Sequence, residues 1–151
     1  MLDDTDRRLL RHLQADPGLT NAELSERCGL SAASCWRRIE AMTAQGIILS
    51  HEAEIDWAAL GYGVEVSLRF TLDKTQPRAF DEFIAAAREV PEVLEIQTFL
   101  GRVDLRLLVI ARDLPHYQEI YRDRILTLPH IADVEALMHI ARVKSDETLP
   151  L

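Results

Sequence analysis

The stretch from Thr20 to Ile39 constrains the fold of this chain more than any other. Thr20-x-x-Glu23 has the spacing of a capping box, in which the Thr hydroxyl and the Glu carboxylate satisfy each other's backbone N–H groups. It opens a short helix from Thr20 to Cys28 that buries Leu24, and Gly29 supplies the positive φ that ends it. Ser31 is the N-cap of a further helix, Ala32 to Gln45, stopped by Gly46. On that helix Cys35, Ile39 and Met42 fall at i, i+4 and i+7, one apolar stripe. Arg37 and Ala33 lie nearly opposite it, with Ser34, Trp36 and Arg38 on the flanks. Two helices joined by a glycine turn, the second showing Arg, Ser and Trp near its start, spell a helix-turn-helix. DNA is the partner such a surface implies.

Upstream, Asp3 caps a helix with a stripe of Leu2, Leu9, Leu10 and Leu13 that ends before Pro17–Gly18. Downstream, Ile47–Ile48–Leu49 and Ala53–Glu54–Ile55–Asp56 suit a two-stranded wing and a connecting strand. The net charge of −8 opposes a polyanion, and both parts of the chain are acidic, residues 1–56 carrying six Arg against ten carboxylates. Between Arg27 and His51, however, there are three arginines and one acid, Glu40. Phosphate contact needs positive charge at the docking face, whatever the total. Each reading head is then weak alone, and copies must add their affinities.

The second part opens on Val64-Glu-Val-Ser-Leu-Arg-Phe-Thr-Leu72, a faultless alternation with one buried and one polar face. A helix bearing Phe80, Phe83, Ile84 and Ala87 follows, then strands at Val93–Leu100 and Asp104–Ile110 around the link Gly101–Arg102–Val103. Asp113 caps a helix carrying Leu114, Tyr117, Tyr121 and Leu128, and a last strand runs Ile131 to Ala141. Pro91-x-Val93-x-Glu95-Ile96 recurs 38 positions later as Pro129-x-Ile131-x-Asp133-Val134. Two such half-units make a βαββαβ domain, a four-stranded antiparallel sheet with both helices on one face. Its other face carries Glu65, Ser67, Arg69 and Thr71, with Leu94 and Thr98 expected beside them. That mixture suits a second subunit's sheet. The expected class is therefore α+β: a winged helix-turn-helix over 1–50, a linker strand over 51–63, and a ferredoxin-like sensing and dimerising domain over 64–151.

The pattern Leu2–Asp3…Asp6…Leu10…Leu13–Gln14, Leu30–Ser31, Cys35–Trp36–Arg37–Arg38–Ile39 and Gly46–Ile47–Ile48 resembles the DNA-binding domain of the Lrp/AsnC regulators. Gly101-x-x-Asp104 resembles the loop of that family's ligand-sensing domain. Cys35–Trp36 and the ending Leu149–Pro150 are similar to a bacterial subgroup answering to amino acids. The resemblance implies a regulator of transcription that dimerises through its C-terminal domains and assembles into tetramers or octamers. It also implies an amino-acid effector bound between dimers by Leu100, Gly101, Arg102, Val103 and Asp104. Two departures stand out: Leu105 and Arg106 stand where many relatives have an aromatic and then an apolar residue, and Ser145–Asp146–Glu147 stands where the subgroup often has hydroxyl residues.

The candidate DNA-binding residues are Thr20, Asn21, Ser31, Ala33, Ser34, Trp36, Arg37 and Arg38. Arg37 is assigned to a guanine edge, Arg38 to a phosphate, Ser34 to a base edge and Ala33 to a thymine methyl. Thr20 and Asn21 start a helix whose N–H groups suit a phosphate. Trp36 is open between covering the wing and lying against a sugar. Cys28 and Cys35 read as small core residues, and five scattered histidines give no metal site. No cofactor is expected. No phosphate cradle, nucleophile elbow or carboxylate pair points to an enzyme. With no apolar run near the roughly 20 residues of a membrane span, a cytoplasmic location is expected. The alternative function is an architectural protein that bends DNA with little choice of sequence.

Overall fold

The computed structural model of the chain describes residues 2–50, 53–144 and 148–151. They form two compact units, Met1–Glu54 with Lys144–Leu151, and Ile55–Val143. No helix among the described residues is long and apolar enough to cross a membrane.

The first unit holds α1 (Asp4–Ala15), α2 (Asn21–Cys28) and α3 (Ala32–Ala44). Each start is set by local chemistry. Asp3 and Asp6 cap α1 reciprocally, Thr20 and Glu23 do the same for α2, and the Ser31 hydroxyl accepts the Ser34 N–H at 3.2 Å. Gly29 adopts φ 65°, where a Cβ is disfavoured, and the Leu30 N–H returns to the Ser25 carbonyl at 2.8 Å. The stripes of the three helices meet in a core of Leu9, Leu24, Cys28, Cys35 and Met42, with Leu2, Leu10, Leu13 and Ile39 packed around it.

The wing strands expected at Ile47–Leu49 and Ala53–Asp56 are not formed: no strand lies among the described residues between α3 and the second unit. The Met42 carbonyl accepts the N–H groups of both Ile47 and Ile48, which curls the chain beneath α3 and packs Ile48 on the core. Farther on, the Asp56 carboxylate accepts the Ala58 and Ala59 N–H groups and opens a turn in the expected linker. His51 and Glu52, the first two positions of that linker, lie outside the described residues. Residues 148–151, expected with the second part, join the first unit. The Gln14 side-chain amide accepts the Leu149 N–H at 2.7 Å and donates to the Leu149 carbonyl at 3.5 Å.

The second unit contains β1 (Val64–Leu72), α4 (Ala79–Arg88), β2 (Val93–Thr98), β3 (Leu105–Ala111), α5 (Leu114–Ile120) and β4 (Ile131–Met138). The strands pair antiparallel in the order β2-β3-β1-β4, the βαββαβ topology expected. Val66, Leu68, Phe70 and Leu72 of β1 face Leu105, Leu107, Val109 and Ala111 of β3, and Phe83, Ala87, Ile120 and Ile125 seal that side. Each such side chain contributes about 1.5–3 kcal/mol by burial, so this core alone fixes the register.

Two elements depart from the sequence reading. The second helix of this unit stops at Ile120 and passes into a π-helical turn, Tyr121–Ile125, in which the Leu126 N–H reaches the Tyr121 carbonyl. The five-residue spacing buries Ile120 and Ile125 together, while Leu114, expected on the packed stripe, is half exposed and Leu128 is buried from the turn that follows. In β2 a register shift between Val93 and Glu95 brings Glu95 and Gln97 onto the open face. Thr98, opposite Leu105, falls on the helix-covered side and not on the open face as expected, while Leu94 is left unpaired at the shift and exposed. Apolar members of the open face on β3 and β4 are Leu108 and Leu137, while Ile110 on the same side is already buried within the chain.

Candidate nucleic-acid and effector sites

Of the three helices in the first unit, α1 and α2 carry carboxylates in their first turns and α3 carries none. The positive end of the α3 dipole is therefore the one left uncompensated. Arg37 and Trp36 project from its opening turns, exposed, and Arg37 makes no hydrogen bond or ion pair among the described residues. Ala33 is exposed beside them and Ser34 is partly so. Arg37, Ser34 and Arg38 share a cleft of about 340 Å³ with Asp6, Ala41 and Gln45.

The remaining candidates are engaged in holding this motif together. Thr20 gives both its N–H and its hydroxyl to the Glu23 carboxylate, at 2.8 and 2.7 Å. That carboxylate stands where a phosphate was expected to meet the start of α2. Asn21 donates to the Ala32 carbonyl at 3.0 Å, tying α2 to the start of α3, and Ser31 serves its cap. Arg38, assigned to a phosphate, is turned toward α1 instead. Its Nη1 lies 2.8 Å from Asp3 and 2.6 Å from Asp6, so a phosphate has to compete with two carboxylates already in place. The pairing was missed because Asp3 reads fully as a cap residue, which it is as well, and Asp6 was given no structural role.

The Asp3 carboxyl is held below the usual carboxylate range, first by the Asp6 N–H and then by Arg38. A carboxylate whose folded value is lowered stabilises the fold above its ordinary pKa and loses that contribution as pH falls through the lowered value. An Arg38→Met chain is thus expected to unfold at lower urea than the unaltered chain at pH 7. The difference should shrink as pH falls below about 4; a gap that is constant with pH would rule out the ion pair as its source.

In the second unit the loop from Phe99 to Asp104 is fastened by its ends. The Phe99 N–H meets the Asp104 carbonyl, the Asp104 N–H meets the Phe70 carbonyl, and the Thr71 hydroxyl donates to the Arg102 carbonyl. Asp104 is only 3 % exposed; its carboxylate accepts the Leu72 N–H at 2.9 Å and pairs with Lys74 at 3.2 Å. Its role here is to shape the loop. Leu100 stands fully in solvent, Gly101 and Arg102 are exposed, and Val103 is half-buried. Gly101 is not in the left-handed region, and a Cβ there meets nothing within 4 Å, so the turn itself does not require glycine. Beside the loop, Arg69, Gln97, Phe99, Val103 and Arg106 line a cavity of about 360 Å³. The β1–β3 register sets Arg69 directly opposite Arg106, and the β2–β3 register sets Gln97 opposite Arg106. Only that register, invisible in either strand alone, brings the three together.

Comparison with known proteins covers both units. The family described as winged helix-turn-helix DNA-binding matches residues 2–48, and the Lrp/AsnC ligand binding domain matches residues 65–149. The chain is 33 % identical over 150 residues to the glutamate uptake regulatory protein of Zymomonas mobilis, covering 99 % of this chain and 91 % of that one. It is 30 % identical over 148 residues to the leucine-responsive regulatory protein of Salmonella typhimurium, covering 98 % and 90 %. Among solved structures, a transcriptional regulator from Neisseria meningitidis in complex with L-methionine superposes with a TM-score of 0.91 at 29 % identity, covering 99 % and 97 %. A DNA-binding family thus matches the first unit and a ligand-binding family the second, and the chain belongs to the Lrp/AsnC family of DNA-binding transcriptional regulators.

Proposed function

We propose that α3 enters the major groove by its N-terminal half and that Arg37 reads a guanine edge, with Ser34 on a neighbouring base and Ala33 against a thymine methyl. The observation that carries this reading is an exposed Arg37, unpaired among the described residues, on the one helix of the first unit whose first turn holds no carboxylate. Trp36 borders the same surface and flanks the sugar-phosphate edge. Arg38, Asn21 and Ser31 hold the motif in shape, and Thr20 with Glu23 closes the start of α2. A competition of a palindromic site against random DNA at fixed salt tests the reading. Equal affinity for the two refutes it and favours an architectural role.

The open sheet face supports pairing of two copies. It mixes Leu108 and Leu137 with charges of both signs, Arg69 and Arg106 against Glu95, Asp133 and Glu135. Such a face is complementary to itself under two-fold symmetry. Dimers, and higher assemblies of them, then space two reading helices about one helical turn apart on DNA. The cytoplasm is where such a protein meets its operator.

The loop Leu100–Asp104 is the proposed effector site: its exposed main chain around Gly101 receives the amino and carboxylate groups of an amino acid. The L-methionine complex of the Neisseria meningitidis regulator supports an effector of this class. Because a side chain at position 101 has room, Gly101→Arg is expected to leave the melting temperature and operator affinity unaltered while abolishing any amino-acid-dependent change in either. A normal response in that variant moves the effector site elsewhere.

A further inference from the structure

The cavity beside the effector loop carries more information than its place alone. Its wall is two guanidinium side chains, one amide and two apolar side chains, and no carboxylate lines it. Arg69 and Arg106 are directly opposed on adjacent strands, an arrangement that costs stability unless a negative group neutralises it. The flanking glutamates do so only partly. Glu95 receives Arg106 Nη2 at 2.8 Å but is shared with Gln97, which donates to it at 2.6 Å. Glu135 lies 3.9 Å from Arg69 in a pair that is half exposed on both sides, where ion pairs are weak. The Nε of Arg106 is buried and bonds to nothing among the described residues. A buried donor without a partner is uncommon in folded proteins.

We infer that this cavity takes the side-chain carboxylate of an acidic amino acid, held between Arg69 and Arg106 with Phe99 and Val103 against its methylenes. The inference rests on the proposed effector role of the neighbouring loop and names the chemistry of the side chain that role selects. Guanidinium groups present paired donors that match a carboxylate in geometry, so the pair distinguishes an acid from its amide. The amide lacks the charge and brings an NH₂ group that two cationic donors cannot accept from. The cavity opens on the sheet face proposed for pairing, so binding is coupled to assembly and is measured on the assembled full-length protein.

The test is isothermal titration calorimetry at one pH and salt concentration with L-glutamate, L-aspartate, L-glutamine, L-leucine and inorganic phosphate, on the unaltered chain and on Arg69→Met and Arg106→Met. The expected result is saturable binding of glutamate or aspartate in preference to glutamine and leucine. Each substitution should weaken it about 10- to 100-fold, with circular dichroism unaltered. Binding of glutamine or leucine as tight as that of the acids overturns the inference and leaves the effector reading standing. So does acid binding that survives both substitutions, which relocates the site. Phosphate binding equal to that of the acids overturns it in favour of a plain anion site. If no amino acid binds at all, the effector reading falls with it.

Discussion

A chain carrying Leu108→Glu is expected to sediment as a folded monomer and to hold a two-half-site operator about 10²–10⁴-fold more weakly than the unaltered protein. Leu108 stands in the middle of the open sheet face, between Glu95 on β2 and Ser67 on β1. In a single chain a glutamate there points into water and disturbs no core contact, because the core lies on the opposite side of the sheet. In a paired sheet it buries a charge beside an existing carboxylate, which costs several kcal/mol. The loss on DNA follows from charge. The first 56 residues carry more carboxylates than arginines, and Arg38 is already neutralised by Asp3 and Asp6. One reading head therefore has little electrostatic attraction to spend, and the affinity must come from two heads held together. Analytical ultracentrifugation and a mobility-shift titration check the two halves separately. A dimer that persists in this variant assigns pairing to another surface, and a monomer that binds with unaltered affinity refutes the weak-head argument.

What could be read from the sequence was what local chemistry decides. The caps of α1, α2 and α3 are hydrogen bonds between residues three apart, so Asp3, Thr20 and Ser31 announce themselves without knowledge of the fold. β1 was read to the residue because its alternation is unbroken over nine positions. Errors arose where a distant partner decides. Ile47, Ile48 and Ile55 have strand-like side chains, yet nothing in the described chain lies alongside to pair with them. The π turn after α5 trades a regular helical stripe for the joint burial of Ile120 and Ile125, a choice made by the sheet beneath. A register shift in β2 put Thr98 on the covered side and Glu95 and Gln97 on the open face. The same dependence on register concealed the cavity: Arg69 and Arg106 are 37 positions apart and become neighbours only when β1 and β3 are paired. In the first unit the sequence assigned Arg37 to a base and Arg38 to a phosphate. It did not show that Arg38 is held by Asp3 and Asp6, which lie on another helix boundary altogether.

That division makes Arg37 the residue whose loss is expected to cost most on DNA. Arg37→Ala should weaken binding to a specific site by about 1–3 kcal/mol, roughly 5- to 150-fold, with the fold intact because the exposed side chain makes no hydrogen bond or ion pair among the described residues. The size alone does not separate base reading from phosphate contact, since either loses an arginine. Arg37→Lys separates them. A lysine keeps the charge but not the planar fork that meets a guanine at two acceptors. If Arg37 reads a base, Arg37→Lys loses most of the specific affinity, keeps the affinity for random DNA, and relaxes the preference at one base pair of each half-site. If it holds a phosphate, Arg37→Lys restores binding, and Arg37→Ala weakens all sequences alike while lowering the salt dependence by about one counterion. The structure favours the first outcome: position 37 lies opposite the buried stripe of Cys35 and Met42, on the side of α3 farthest from its own core. A footprint and affinity unaltered by Arg37→Ala would remove α3 from the groove, and with it the reason for two such helices to be held one turn of DNA apart.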